Sequence, residues 1–252
     1  MTGKQIQQKF QVNDIPTKLI AWEDDANRLI LYADIMGFSH RVTRNNHNDL
    51  KEELLKFKKS WEAKIKPLQK GDHLRSVQFS DSILIVVNGT NDKMFNLISK
   101  AAVCLMQSAI SLGFPIKGVI AQGKFTYDKK NELYFGLPLV EAYQLHEEIY
   151  YYGIVVHHSA EQTVKEYMDA TKPYTKTKVN LKKGKTSHYH LSWHLLNKNL
   201  STGNIKDLVN QWLDKIEESV SGTPRIYVDN TRDIVDSDDE KWQTTSEENS
   251  LD

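Results

Sequence analysis

Two aspartates in this chain stand where strand-like segments end, and together they could bind a divalent cation. Asp34 follows the apolar run 29–33, and Asp81 lies within 79–83, between two further strand-like runs. The two residues are 47 positions apart, so they meet only if their strands lie side by side in one sheet. Paired carboxylates at a strand end suit Mg²⁺ or Mn²⁺ held together with substrate phosphates. The sequence therefore predicts metal-dependent phosphate chemistry at this pair.

Helical and strand periodicities predict the elements that would position the two acids. In chain order we expect a strand at 28–33, a helix at 49–65 capped by Asn48, and a hairpin of strands at 74–79 and 82–87. A second helix at 93–112 and a further strand at 116–121 follow. This order predicts an α+β fold with a ferredoxin-like βαββαβ core. The first strand of that fold is central and pairs with the third, which places Asp34 beside Asp81.

Weaker patterns predict further elements after this core. They indicate an added hairpin of strands at 124–127 and 133–135, a helix at 138–149 and a short strand at 153–156. A lysine-rich loop or exposed hairpin at 171–185, another strand at 188–193 and a C-terminal amphipathic helix at 204–220 follow. We expect the last helix to seal the core or to pair with a second copy. The predicted organisation is an N-terminal extension (1–27), one domain (28–220) and an acidic flexible tail (221–252).

Charge is unevenly distributed along a chain whose formal net charge is zero. Residues 229–252 hold nine acidic and two basic side chains, a net charge of −7, so residues 1–228 carry +7. A basic body suits an anionic ligand such as a nucleoside triphosphate, and it also suits nucleic acid. The acidic end contains few apolar residues, which predicts a flexible segment.

Composition argues against a membrane-spanning or secreted protein. The sequence has no run that approaches about 18 apolar residues, and its first residues lack the apolar centre of a signal peptide. Cys104 is the one cysteine, so no internal disulfide can form, and its apolar neighbours predict a buried thiol. We therefore expect a reduced, cytoplasmic protein with no membrane partner.

Four short motifs, taken in order, resemble those of class III nucleotidyl cyclases. They read DIMGFS, FSDSI, KGVIAQG and FGLPLVEAY, at residues 34–39, 79–83, 117–123 and 135–143. The ending VEAY, together with FSDS, most resembles the bacterial pyrimidine cyclases of Pycsar antiphage systems, which make cyclic UMP or cyclic CMP after infection. The resemblance covers roughly residues 28–157.

The resemblance implies two Mn²⁺ or Mg²⁺ ions held by Asp34, Asp81 and the backbone carbonyl of Ile35. One ion would activate the ribose 3′-hydroxyl for attack on the α-phosphorus, and the other would neutralise the triphosphate and the leaving pyrophosphate. The turn after the first acid would bring backbone amides against phosphate oxygens, those of Met36, Gly37, Phe38 and Ser39. A homodimer with active sites built across its interface is implied as well.

Four positions depart from the purine branch of that family. Val77 and Leu133 stand where purine cyclases carry their base-reading residues, which disfavours ATP and GTP as substrates. Val140 and Gln144 stand where those enzymes carry a ribose-orienting Asn and a transition-state Arg. Loss of such a cation costs on the order of 10³-fold in rate, so an active enzyme needs a substitute. The candidates are Arg41, Arg44, Arg75 and Lys117, of which we take Arg41 as catalytic and Arg75 and Lys117 as substrate-binding.

The leading hypothesis is a cyclase that converts UTP, or less readily CTP, to the 3′,5′-cyclic monophosphate and pyrophosphate, as a second-messenger synthase in antiphage defence. The alternatives are a catalytically silent cyclase-like dimer that binds a nucleotide, a purine cyclase, and a nucleic-acid-binding domain. We interpret His188, His190 and His194 as ordinary hydrogen-bonded residues, because no cysteine or further ligand stands near them in the sequence. We give His157 and His158 the same interpretation.

Overall fold

The protein, seen in a computed structural model, is described over residues 22–168, 174–196 and 205–248. Four strands form the centre of its sheet: β1 (Asp25–Ile35), β2 (Leu74–Phe79), β3 (Ser82–Val87) and β4 (Ile116–Asp128). Their spatial order is β2-β3-β1-β4, and β1 pairs antiparallel with both β3 and β4. The predicted α+β fold and the pairing of its first and third strands are confirmed.

Three helices connect these strands: α1 (Phe38–Arg44), α2 (His47–Ile65) and α3 (Asp92–Ser111), with a 3₁₀ helix (Lys66–Asp72) after α2. The sequence did not predict α1, because this short helix has no buried residue that would mark a periodic stripe. The predicted cap of α2 is wrong by two positions, since the Asn46 side chain accepts a hydrogen bond from the amide of Asn48. The chain leaves α3 through Gly113, whose φ of +73° glycine adopts without strain.

Alternation along β1 divides the core into two layers, because successive strand side chains point to opposite faces of a sheet. Leu29, Leu31 and Ala33 are buried in the layer formed with α2 and α3. Ile30 and Tyr32 face the other layer, to which α4 (Leu137–Glu148) contributes. Asp34 continues this second series, so its side chain belongs to the α4 side of the sheet.

Beyond the core, the sheet is longer than the βαββαβ unit requires. β5 (Leu133–Gly136) pairs with β4, and the sheet extends past β4 through β6 (Ile154–Val156), β8 (Gly184–Leu191) and β7 (Tyr174–Leu181). A helix, α5 (His158–Tyr167), follows β6. The lysine-rich segment forms the β7–β8 hairpin, so the strand predicted at 188–193 begins four residues earlier. The two strands predicted at 116–121 and 124–127 are one continuous strand.

The prediction of a flexible tail over 221–252 is wrong for the residues that the structure describes there. Helix α6 (Ile205–Ser219), which a 3₁₀ helix (Trp193–Leu196) precedes, covers the core as predicted, and α7 (Thr223–Glu248) follows it. Arg232 of α7 forms ion pairs with Asp214 and Glu217 of α6. The buried side chains of α7 recur at helical spacing and include Tyr227, Val228, Ile234, Val235 and Asp238. Average composition concealed this stripe, because the buried apolar residues alternate with exposed acids such as Asp229, Asp233 and Asp236. The domain boundaries themselves stay a prediction.

Within the described ranges, α3 is the one helix long and apolar enough by composition to cross a membrane. However, 72% of its most apolar window is buried inside the protein. Its side chains, among them Phe95, Ile98 and Leu105, pack in the layer between the sheet and α2. The apolar composition of α3 is therefore that of a helix buried in the protein core.

Candidate active site

Asp34 and Asp81 meet at the end of β1, where the β2–β3 hairpin turns. Asp34 lies opposite Ser82 in the β1–β3 ladder, so Asp81 is one residue from its ladder partner. The backbone amide of Ile35 donates a hydrogen bond to the carbonyl of Asp81 at 3.1 Å, which fixes the turn against the strand. Two acids that are far apart in the sequence are therefore neighbours in the fold.

The surroundings of this pair disfavour two uncompensated negative charges. Burial raises the pKa of Asp34 to about 6; the charge of Asp81 acts in the same direction, while a hydrogen bond from Ser82 and the charge of Lys117 oppose the rise. A divalent cation would relieve the repulsion, and hard oxygen donors are the ligands that Mg²⁺ and Mn²⁺ prefer. The residues present therefore fit the predicted ions, with the Asp34 and Asp81 carboxylates and the Ile35 carbonyl as ligands.

A hydroxyl chain that the sequence analysis missed holds one oxygen of Asp34. The Ser82 hydroxyl donates to Asp34 Oδ1 at 2.9 Å, and the Tyr32 hydroxyl lies 3.2 Å from Ser82 Oγ. Because Oδ1 is occupied in this way, Oδ2 remains for a metal ion. The signal was available, since Ser82 directly follows Asp81 in a motif already singled out, but only the ladder register shows which acid it contacts.

We expect Ser82→Ala to raise the pKa of Asp34 by about one unit, because a hydrogen bond to a charged acceptor contributes about 1.5–3 kcal/mol and this site is partly solvated. NMR titration of the Asp34 carboxyl carbon in metal-free protein measures the shift. Ser60→Ala serves as the matched control, since Ser60 donates to Ser108 in a partly buried pair on α2 and α3. An unchanged pKa in Ser82→Ala would contradict the assigned role of the hydroxyl.

Lys117 is brought to the acid pair from β4. It lies opposite Asp34 in the β1–β4 ladder and is 3% exposed. Burial lowers the pKa of its ammonium group to about 8, and the carboxylates of Glu147 and Asp34 oppose this change. The group donates a hydrogen bond to the Ile149 carbonyl at 3.4 Å. Its charge therefore acts on Asp34 from within the protein, as the opposing contribution to the Asp34 pKa shows.

The turn predicted to bind phosphates leads into α1, and one of its amides, that of Met36, already donates a hydrogen bond within the protein. Gly37 is the N-cap of α1 and adopts a left-handed conformation with φ of +71°, which glycine allows. The amides of the first helical turn, which includes Phe38 and Ser39, have no acceptor within their own helix. The amide of Met36 instead donates to the Pro115 carbonyl at 2.8 Å. The Met36 amide is thus engaged within the protein, and its predicted contact with phosphate stays a prediction.

Arg41, predicted to be catalytic, packs α1 against the turn between α3 and β4. Its guanidinium group donates to the Gly113 carbonyl at 2.6 Å and lies 4.7 Å from the ring centre of Phe114. It also approaches Glu53 at 3.7 Å. These contacts account for its partial burial without a substrate, and its catalytic role stays a prediction. Arg44, at the end of the same helix, is exposed.

Arg75 is not brought to the acid pair within one chain. It lies four residues before the end of β2, on the order of 13 Å along the strand from the acid-bearing turn. Two hydrogen bonds join it to Asp72, at 3.0 and 2.5 Å, and its guanidinium group lies 4.2 Å from the ring centre of Trp22. Arg75 lines a groove of about 640 Å³ together with Val77, Gln78, Tyr127 and Tyr134, among other residues.

Comparisons with known proteins give likenesses of fold alone. No protein-family model matches the chain, and a search of curated proteins gives no match. Among solved structures, the dimeric guanylyl cyclase domain of a rhodopsin fusion protein from the fungus Blastocladiella emersonii is 14% identical, with 67% of this chain and 97% of that chain covered and a TM-score of 0.49. An adenylate/guanylate cyclase/hydrolase from Silicibacter pomeroyi is 15% identical, with 67% and 98% covered and a TM-score of 0.46. Adenylate cyclases from Trypanosoma brucei are 11% identical, with 71% and 94% covered and a TM-score of 0.47. All three scores lie below 0.5, so the function proposed below stands on the residues of this chain.

Proposed function

We propose that this protein is a metal-dependent nucleotidyl cyclase that converts UTP, and less readily CTP, to the 3′,5′-cyclic monophosphate and pyrophosphate. The observation that carries the proposal is the meeting of Asp34 and Asp81 at one strand end, both half-buried. The raised pKa of Asp34, about 6, marks a carboxylate held where it needs a cation partner. Perturbed acids in such a position are typical of functional sites.

The protein groups divide the work at this site. Asp34, Asp81 and the Ile35 carbonyl would hold Mn²⁺ or Mg²⁺, which when bound lower the pKa of the ribose 3′-hydroxyl and offset the charge of the triphosphate. Ser82 orients Asp34 through Oδ1. Lys117 keeps Asp34 in its ionised, metal-binding form, because a nearby cation favours the carboxylate. The amides that follow Gly37 are placed to contact phosphate oxygens.

The cation proposed to stabilise the transition state is neither Arg41 nor Arg75. Arg41 and Arg75 are both engaged in ion pairs within the chain. Arg44 is exposed at the end of α1, which supports it over the two engaged residues. Arg75 is assigned to substrate binding instead, as a residue that one chain of the proposed dimer contributes to the site of the other.

Selection of a pyrimidine base is supported by two positions whose side chains have no hydrogen-bonding group. Val77 on β2 and Leu133 on β5 have aliphatic side chains. Neither can hydrogen-bond the edge of a purine, and a polar group of the base that is buried without a partner costs about 1–3 kcal/mol. Gln78 follows Val77 on β2, and its side-chain oxygen is buried without a hydrogen bond among the described residues. This oxygen is therefore an unused hydrogen-bond acceptor next to Val77.

A homodimer is supported by an exposed apolar surface on consecutive elements. The side chains that form it are each more than half exposed, on β5 and along one face of α4: Leu133, Phe135, Leu137, Val140 and Tyr143. Contiguous apolar patches of this kind mark association surfaces. Sedimentation of Leu137→Glu against the parent tests the dimer, and a parent that sediments as a monomer contradicts it.

The function is tested by incubating the purified protein with UTP, CTP, ATP or GTP and Mn²⁺, and identifying products by mass spectrometry. We expect cyclic UMP, less cyclic CMP, and an equal amount of pyrophosphate. Products from ATP or GTP alone would overturn the pyrimidine assignment and favour a purine cyclase. Nucleotide binding without turnover would favour the silent module, a second candidate that Val140 and Gln144 support because they replace two catalytic side chains.

A role in cytoplasmic antiphage signalling is proposed on the same motifs. Bacteria that express the active chain with its effector should resist phage, whereas bacteria that express Asp34→Ala should not. Equal protection by both chains would separate the enzymatic activity from defence.

A further inference from the structure

A second cluster of ligand-type side chains lies apart from Asp34 and Asp81. Glu141 of α4 and the consecutive residues His157 and His158 place one ligand atom each within 4.8 Å of the other two. His157 Nδ1 is 3.5 Å from Glu141 Oε2, with side-chain exposures of 12% and 23%. The two imidazole ring centres are 4.0 Å apart. No sequence pattern predicts this cluster, because Glu141 is 16 positions from His157.

The spacing of these atoms suits zinc better than it suits hydrogen bonding. Zn²⁺ binds imidazole nitrogen at about 2.0–2.1 Å and carboxylate oxygen at about 2.0–2.2 Å in a tetrahedron, so neighbouring ligand atoms lie about 3.4 Å apart. The distance of 3.5 Å between His157 and Glu141 is close to that edge. It is longer than the usual 2.7–3.2 Å of a hydrogen bond to oxygen, so the pair gains little from direct contact.

A fourth ligand is available from the neighbouring strand. Val155 of β6 pairs with His190 of β8 in an antiparallel ladder, so the same register places His188 opposite His157 on the same face. The Nδ1 atom of His188 is buried and has no hydrogen bond among the described residues. Glu141, His157 and His158 are the residues whose ligand atoms already lie within 4.8 Å of one another, so the His188 ring has to turn or shift towards them to bind the same ion.

Two local features oppose a cation, and both are offset. The cluster lies at the start of α5, where the helix dipole places about half a positive charge, but the Glu141 carboxylate supplies a full negative charge. His157 Nδ1 also accepts from the amide of Ser159 at 3.3 Å and lies 2.9 Å from its hydroxyl. A metal on Nδ1 displaces both contacts with Ser159, but the Ser159 hydroxyl keeps the hydrogen bond that it accepts from the Gln122 amide at 3.1 Å.

We propose that Glu141, His157, His158 and His188 form a structural Zn²⁺ site that joins α4, the β6–α5 junction and β8. Four protein ligands leave no open position, which is the arrangement of structural rather than catalytic zinc. Nitrogen donors separate this site from the all-oxygen pair at Asp34 and Asp81, which suits Mg²⁺ or Mn²⁺. The ion would brace the β7–β8 hairpin against α4, where one ladder pair now joins β8 to β6.

The test uses the full-length Asp34→Ala protein, so that the proposed catalytic metals do not contribute. After treatment with chelator and dialysis against Zn²⁺, we expect one bound zinc per chain by elemental analysis and a raised midpoint of thermal unfolding. Substitution by Co²⁺ should give the visible absorption of a tetrahedral site. His158→Ala, at an exposed position, should weaken zinc binding by more than the 10–100-fold typical of outer-shell partners, and His158→Cys should restore it.

The control is His47→Ala, an exposed histidine at the start of α2, which should leave zinc content unchanged. No zinc retained by the parent, or equal zinc retained by His158→Ala and by Glu141→Gln, would overturn the site. Because every readout is binding or unfolding of a catalytically inactive chain, the result is independent of whether the protein is a cyclase.

Discussion

Asp34→Asn and Asp81→Asn should each lower cyclic nucleotide formation by on the order of 10³-fold or more, because a bound divalent ion supplies several kcal/mol of transition-state stabilisation. The Asn side chain keeps the size of each residue but loses the charge that binds the ion. Initial rates with UTP and Mn²⁺ measure the loss, and raised Mn²⁺ should recover little of it. Asp49→Asn, an exposed acid at the start of α2, should retain the parent rate.

The stability of Asp34→Asn should change in the opposite direction to its activity. Burial raises the pKa of Asp34 from 3.8 to about 6, so between these pH values the folded protein binds a proton that the unfolded chain has lost. The stability that this group contributes is present below about pH 4 and is lost as the pH rises through about 6. At pH 7 without metal, Asp34→Asn should therefore unfold at a higher temperature than the parent, and the difference should vanish below about pH 4.

Two results would contradict this account of the acid pair. A parent rate in either Asn variant would remove both residues from the metal site. An Asp34→Asn protein that is less stable than the parent at pH 7 would show that the ionised carboxylate is satisfied by protein groups alone, and the need for a cation would disappear.

Removal of residues 223–252 should destabilise the whole protein, because α7 is part of the core. Each large apolar side chain contributes about 1.5–3 kcal/mol on full burial, and among the side chains of α7 that the structure describes, four are buried in this way: Tyr227, Val228, Ile234 and Val235. Their sum is comparable with the total of about 5–15 kcal/mol that stabilises a typical domain. The expected outcome is an insoluble chain or one that unfolds far below the parent temperature, measured by circular dichroism on heating.

Polar contacts of α7 should add to that loss. Asn230 donates to the Tyr150 carbonyl at 2.7 Å, and the Thr231 hydroxyl accepts from the Tyr152 amide at 2.9 Å. Asp238 Oδ1 lies 3.0 Å from His190 Nε2, and both side chains are fully buried or nearly so. Removal of residues 249–252 alone is the control and should leave the midpoint unchanged. An unaltered midpoint after loss of α7 would restore the original prediction of a free tail.

The core and the acid pair were predictable because their signals are local and periodic. The apolar runs that became β1, β3 and β4 have the length and composition of buried strands, and α2 and α3 show a helical stripe. Given that order of elements, the βαββαβ fold follows, since few right-handed, unknotted connections are compatible with it. The fold then pairs its first and third strands, so the proximity of Asp34 and Asp81 was contained in the sequence.

Other features were decided by tertiary structure, because they depend on contacts between distant residues. Gly113 and Phe114, which contact Arg41, and Trp22, which packs on Arg75, are distant from these arginines in the sequence, and no local pattern shows those contacts. Glu141 comes within reach of His157 and His158 only after α4 packs on the sheet. The burial of α7 likewise needs the surface on which it packs. The local sequence thus specified which strands and helices form, while packing determined which charged side chains remain available for chemistry.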